Sequence, residues 1–212
     1  MHSDGGLLLR IAAGCCVFAA LAIADFSHHG RSAKRWREYA VLAAAVGAAM
    51  LYGIVNDQIT STISWEYFYY GKELDKVLGP QTPPQQWPLR WEAAKVGIKA
   101  TWTAGLIFGV VLLLANNPYR TLPRLKNREL LGMLPIILLT AAALGIICGI
   151  LGYEGFLSFL SADFQEMMQT DIFRPHRFIC AWAIHLGGYL GGFAGTSIAV
   201  GIIIRRRIRL AA

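Results

Sequence analysis

Enzyme signatures are missing from this chain. It has no His-Glu-x-x-His, no Gly-x-Ser-x-Gly and no Gly-rich loop ending in Lys-Ser or Lys-Thr, so the commonest hydrolase and nucleotide-binding motifs find no foothold. Cysteine is scarce. Cys15, Cys16, Cys148 and Cys180 all fall inside apolar stretches without Cys-x-x-Cys spacing, so they read as small core residues, and the loops hold no disulfide framework. Acidic residues number 13 against 20 basic ones. No base-reading motif accompanies that surplus, so no nucleic-acid partner is expected.

Apolar residues are abundant instead, at 55% of 212, with 22 glycines. Five long runs stand out, at residues 7–26, 39–55, 96–115, 130–151 and 178–204. Each holds about 17 to 27 residues, enough at about 1.5 Å per residue to cross a hydrocarbon core of about 30 Å. One small soluble domain has no interior large enough to surround five such helices. The expectation is therefore an all-α integral membrane protein in a lipid bilayer, a four-helix core plus an N-terminal span, with residues 56–95 and 152–177 as its two external loops.

Charge placement orients the bundle. Arg31, Lys34, Arg35 and Arg37 follow the first run; Arg120, Arg124, Lys126 and Arg128 follow the third; Arg205, Arg206, Arg207 and Arg209 follow the fifth. The other two connections are mildly acidic. By the positive-inside rule the basic clusters are cytoplasmic, the N-terminus is out and the C-terminus is in. Ala22-Ile23-Ala24 resembles a signal-peptidase site behind Arg10, but cleavage there inverts every later span, so the first run is read as retained.

Small residues recur every fourth position within the runs, the spacing that lets membrane helices approach closely. The series are Ala45, Ala49, Gly53; Gly97, Thr101, Gly105, Gly109; Ala141, Gly145, Gly149; and Gly187, Gly191, Gly195, with Gly188 and Gly192 alongside. They predict tightly crossed helices and little room for a wide pore.

Ionisable groups near or inside a membrane are costly and point to function. Asp57 continues the Gly53 series by one more helical step, so its carboxylate faces the bundle amid Asn56, Gln58 and Thr60. His185 lies two to three turns into the last helix and shares a face with Tyr189, directed inward. Glu66 is the odd member of the aromatic run from Trp65 to Tyr70, whose plainer reading is an interfacial belt. Asp57, Glu66 and His185, supported by Tyr189, form a candidate polar or divalent transition-metal site, although convergence is not legible in sequence. His176 is nine residues before His185, which turns about 900° and separates them by about 13 Å, so the two do not share a metal. Gly79 to Pro88 is proline-rich and reads as an extended surface loop.

Tyr52-Gly53, Asp57-Gln58-Ile59-Thr60, Glu66-Tyr67-Phe68 and His176 with His185 and Tyr189 together resemble the pattern of an uncharacterised family of small bacterial polytopic inner-membrane proteins. The resemblance runs from about Arg37 to the C-terminus and implies a multi-pass protein of the bacterial inner membrane, with no activity attached. That family pattern often carries histidine just before the Asp-Gln pair, where this chain has Asn56. Asparagine keeps a hydrogen bond but is a poor metal ligand. Three functions stay open: a polar or metal site at the external end, a small proton- or ion-coupled transporter, and a structural subunit in a homo-oligomer or with a membrane-protein partner.

Overall fold

A computed structural model describes residues 4–30, 33, 35–117 and 122–212. Arg31, Lys34 and Arg120 of the basic clusters lie outside the described residues. The described chain is helical without strands, in the order α1 (Asp4–His29), α2 (Arg35–Ile63), α3 (Trp65–Tyr69), α4 (Asp75–Leu78), α5 (Gln86–Ala115), α6 (Asn127–Leu131), α7 (Leu134–Tyr153), α8 (Leu160–Met168) and α9 (Pro175–Ala211). Five stretches of helix are long and apolar enough to cross a membrane: within α1, α2, α5, the α6–α7 segment and α9.

The helices outrun the apolar runs that announce them. α2 continues past Val55 to Ile63, carrying Asn56, Asp57 and Thr60 as helix rather than loop. α5 begins at Gln86, ten residues before the expected start, so Pro88 sits in its first turn. Proline is tolerated there because first-turn N–H groups have no intrahelical acceptor. The expected loops at 56–95 and 152–177 therefore shrink, and they contain α3, α4 and α8.

The long helices pack as two tight pairs, α2 with α5 and α7 with α9, which touch one another much more sparsely. Glycine makes each pair close. A Cβ on Gly53 would stand 2.5 Å from the Gly97 carbonyl oxygen, and one on Gly97 would stand 2.5 Å from that of Gly53. Gly105 and Gly109 meet Ala45 further along α2. On the second pair, Gly187 and Gly191 lie against the backbone of Leu144 and Thr140, Gly195 against Ile137, and Gly145 and Gly149 against Ile184. Such contact leaves no space for a side chain and gives dispersion attraction over the whole seam.

Two apolar clusters close the bundle. At the α3 end Tyr67, Phe68, Leu74, Leu89, Phe178 and Ala181 pack together, and at the other end Val41, Leu112, Leu125, Leu130, Met133 and Ile203 do. The aromatic run is thus largely interior: Phe68 is fully buried, and Tyr67 and Tyr69 nearly so. Trp87 and Trp91, at 83% and 67% exposure, supply the outward aromatic surface at that end. Ser64 starts the turn that folds the run inward, its hydroxyl accepting the Tyr67 N–H at 3.2 Å. α1 makes limited contact, mainly with α2, where Phe18 meets Tyr39 with ring centroids 5.6 Å apart.

Candidate functional site

Tyr52, Asn56 and Thr60 are spaced four residues apart, so helical geometry sets them on one face of α2, with Gly53 and Asp57 beside them. That face meets His185 of α9. The Thr60 hydroxyl donates to the Asn56 carbonyl at 2.9 Å, which uses its one hydrogen. Its oxygen is then free to accept from His185 Nε2, 3.2 Å away. Nε2 therefore carries the ring proton, and Nδ1 accepts from the Asn56 amide nitrogen at 3.4 Å. The same amide donates to Asp57 Oδ1 at 3.4 Å, while His185 Nε2 stands 3.7 Å from that oxygen.

The network is complete except at one atom. Asp57 is 2% exposed, and its second oxygen, Oδ2, is buried without a hydrogen-bond partner. Leaving a buried acceptor unpaired costs about 1–3 kcal/mol, more for a charged group. Above the network Tyr67 stacks on the imidazole, with centroids 4.9 Å apart at 28°, and Phe68 meets it edge-on at 6.0 Å. Lys72, in the turn after α3, sets its ammonium 5.2 Å over the Tyr67 ring. Burial lowers the Lys72 pKa below its usual value, and the nearby Asp57 charge works the other way.

Glu66 does not join this group. Although 1% exposed, it turns toward the start of α9, where its carboxylate accepts the Phe173 N–H at 2.6 Å and the Arg174 N–H at 3.2 Å. A carboxylate at a helix N-terminus binds free amides and favours the positive end of the dipole, so Glu66 ties α3 to α9. Gln58 also points elsewhere, donating to the Arg90 carbonyl at 2.9 Å and joining α2 to the N-terminal part of α5. His176 is exposed beside Gly155. Tyr189 lines the cleft described below and is 42% exposed.

The donor set is a poor metal site. Around His185 stand one carboxylate, one amide nitrogen and one hydroxyl, and both imidazole nitrogens are engaged. Among the described residues no group of three or more His, Cys, Asp or Glu side chains is placed to hold a metal ion.

Asp57 and His185 also line a cleft of about 60 Å³ between the two helix pairs. Its walls are mostly apolar: Ala48 and Ala104 of the first pair face Leu138 and Gly192 of the second, with Phe108 across it. Gly188 and Gly192 turn toward this face of α9; a Cβ on Gly188 would come within 3.0 Å of the Tyr52 hydroxyl. The tight packing expected from sequence holds within each pair and lapses between them.

No known protein family, curated protein or solved structure matches the chain.

Sequence reasoning ranked Asn56 behind Glu66, whereas Asn56 is the group that links Asp57 to His185. The four-residue spacing of Tyr52, Asn56 and Thr60 was the available signal. Tyr67 and Lys72 had none, because only the inward turn at Ser64 brings them over the imidazole.

Proposed function

We propose that this is a multi-pass membrane protein whose working part is a buried hydrogen-bonding site made by Asn56, Asp57, Thr60 and His185, for a small ligand rather than a metal ion. The observation that carries the reading is Asp57 Oδ2, the one unpaired atom in an otherwise satisfied network, on the wall of a cleft. A buried group held at such a cost without a folding partner needs an explanation, and binding or proton transfer at the cleft supplies one. The basic connections favour a topology with the C-terminus in the cytoplasm and the Asp57 end outside. The resemblance to small bacterial polytopic proteins favours the inner membrane.

Asp57→Asn is the test. It removes the charge while keeping an acceptor for Asn56, so a site kept against stability gains from it: the unfolding midpoint in mild detergent rises by about 2–4 °C. A carboxylate kept for folding gives the opposite, a clear fall, and that result overturns the proposal. Elemental analysis of the same preparations is expected to show less than stoichiometric transition metal, unchanged in His185→Ala. Metal near one per chain that is lost in the variant restores the metal reading.

A further inference from the structure

The cleft has a polar end and apolar walls. Asp57, Asn56 and His185 sit at the α3 end, and below them the lining is alanine, glycine, leucine and Phe108. Tyr67 and Phe68 roof the imidazole, and at the far end the lining residues Phe108, Leu134 and Ile137 join the apolar cluster around Leu112 and Met133. Tyr189, on the α9 side of the cleft, is 42% exposed, so the seam between the pairs offers a sideways approach. Because the helices forming that seam are long and apolar enough to cross a membrane, it faces lipid when they do.

Three features define the occupant. Free volume of about 60 Å³ holds roughly four to six waters by that measure, so one slender chain fits and a fused ring system does not. Apolar walls do not hold ordered water, but they do hold hydrocarbon. Asp57 Oδ2 calls for a hydrogen-bond donor. An anionic head is opposed by the Asp57 carboxylate. A cationic head would meet the Lys72 ammonium, which stands 5.2 Å over the Tyr67 ring that stacks on the imidazole.

Resting on the reading of these residues as a ligand site, we infer that the cleft takes a single-chain lipid-phase molecule with a neutral hydroxyl head, chain between the helix pairs and hydroxyl on Asp57. Binding supplies the donor that Oδ2 lacks.

The test uses the full chain in phosphatidylcholine nanodiscs with two probes: hexadecanol bearing a mid-chain diazirine, and its methyl ether, which has the same chain without the donor. After irradiation the labelled residues are mapped by mass spectrometry. The alcohol is expected to label residues around Ala48, Ala104, Phe108 and Leu138 at least tenfold more than the ether. Asp57→Asn is expected to erase that difference. Ala104→Phe fills the cleft and is expected to abolish labelling by both probes; Ala48→Leu, on the neighbouring helix α2, gives the same result if the first variant does not fold. Equal labelling by alcohol and ether, or labelling confined to outward residues such as Leu51, Ile107 and Ile146, overturns the inference. If that happens while Asp57→Asn still raises the unfolding midpoint, the hydroxyl-lipid assignment alone has failed and the polar site stands. A fall in the midpoint overturns both.

Discussion

Two carboxylates, Asp57 and Glu66, are buried near the α3 end of the molecule, and their surroundings set them apart. Glu66 is bonded to two backbone amides, whereas Asp57 keeps an open oxygen. The same class of substitution therefore has opposite consequences. Glu66→Ala removes charge-assisted bonds worth about 1.5–3 kcal/mol and is expected to lower stability, with faster amide exchange at Phe173 and Arg174. Glu66→Gln keeps an acceptor and is expected to fall between. Lys72 reports on Asp57 from outside the long helices. Its ammonium is weakened by burial and supported by the Asp57 charge, so removing that charge takes away the support. In Asp57→Asn the Lys72 pKa is expected to fall further below 10.5, read from carbon-13 shifts of the reductively methylated lysine. An unchanged Lys72 titration means that the two charges do not interact.

Element positions were legible because they depend on local composition: five long apolar runs gave the five helices able to cross a membrane. Their ends were less so, since a helix with a buried partner carries polar residues past the apolar run, as α2 does from Asn56 to Thr60. Convergence at the site was not legible at all. Asp57 and His185 are 128 positions apart, and Glu66 has the same chemistry as Asp57 with a different neighbour. Glycines within one helix also differ in consequence. A Cβ on Gly191 would collide with the Thr140 carbonyl oxygen, while one on Gly201 meets nothing within 4 Å. Gly191→Ala is expected to force α7 and α9 apart and lower the unfolding midpoint. Gly201→Ala is expected to leave it unchanged or raise it, by about 0.5–1 kcal/mol of helix propensity. Thermal unfolding of the two variants side by side checks the contrast.

At the scale of the molecule, one residue from the C-terminal basic cluster holds the two helix pairs to each other. Arg207 is 3% exposed, unlike its solvent-facing neighbours Arg205 and Arg206, and its guanidinium donates to the carbonyls of Ala115, Asn117, Leu122 and Pro123. Sequence placed all three arginines in a cytoplasmic charge cluster, because helical phase alone does not reveal which one meets a neighbouring loop. The planar fork serves several acceptors at once, and an ammonium is a point charge. Arg207→Ala is expected to cost at least about 2 kcal/mol, with little rescue by Arg207→Lys, while Arg205→Ala stays within about 0.5 kcal/mol. Unfolding midpoints in detergent measure all three.

The two pairs are also contiguous in sequence, α2 with α5 and then α7 with α9, and this orders the molecule in time. During synthesis every residue of the first seam is made before any residue of the second. Asn56, Asp57 and Thr60 are made with the first pair, and His185 comes only with the last helix. The site therefore needs both halves, and a fault in joining them reaches it directly.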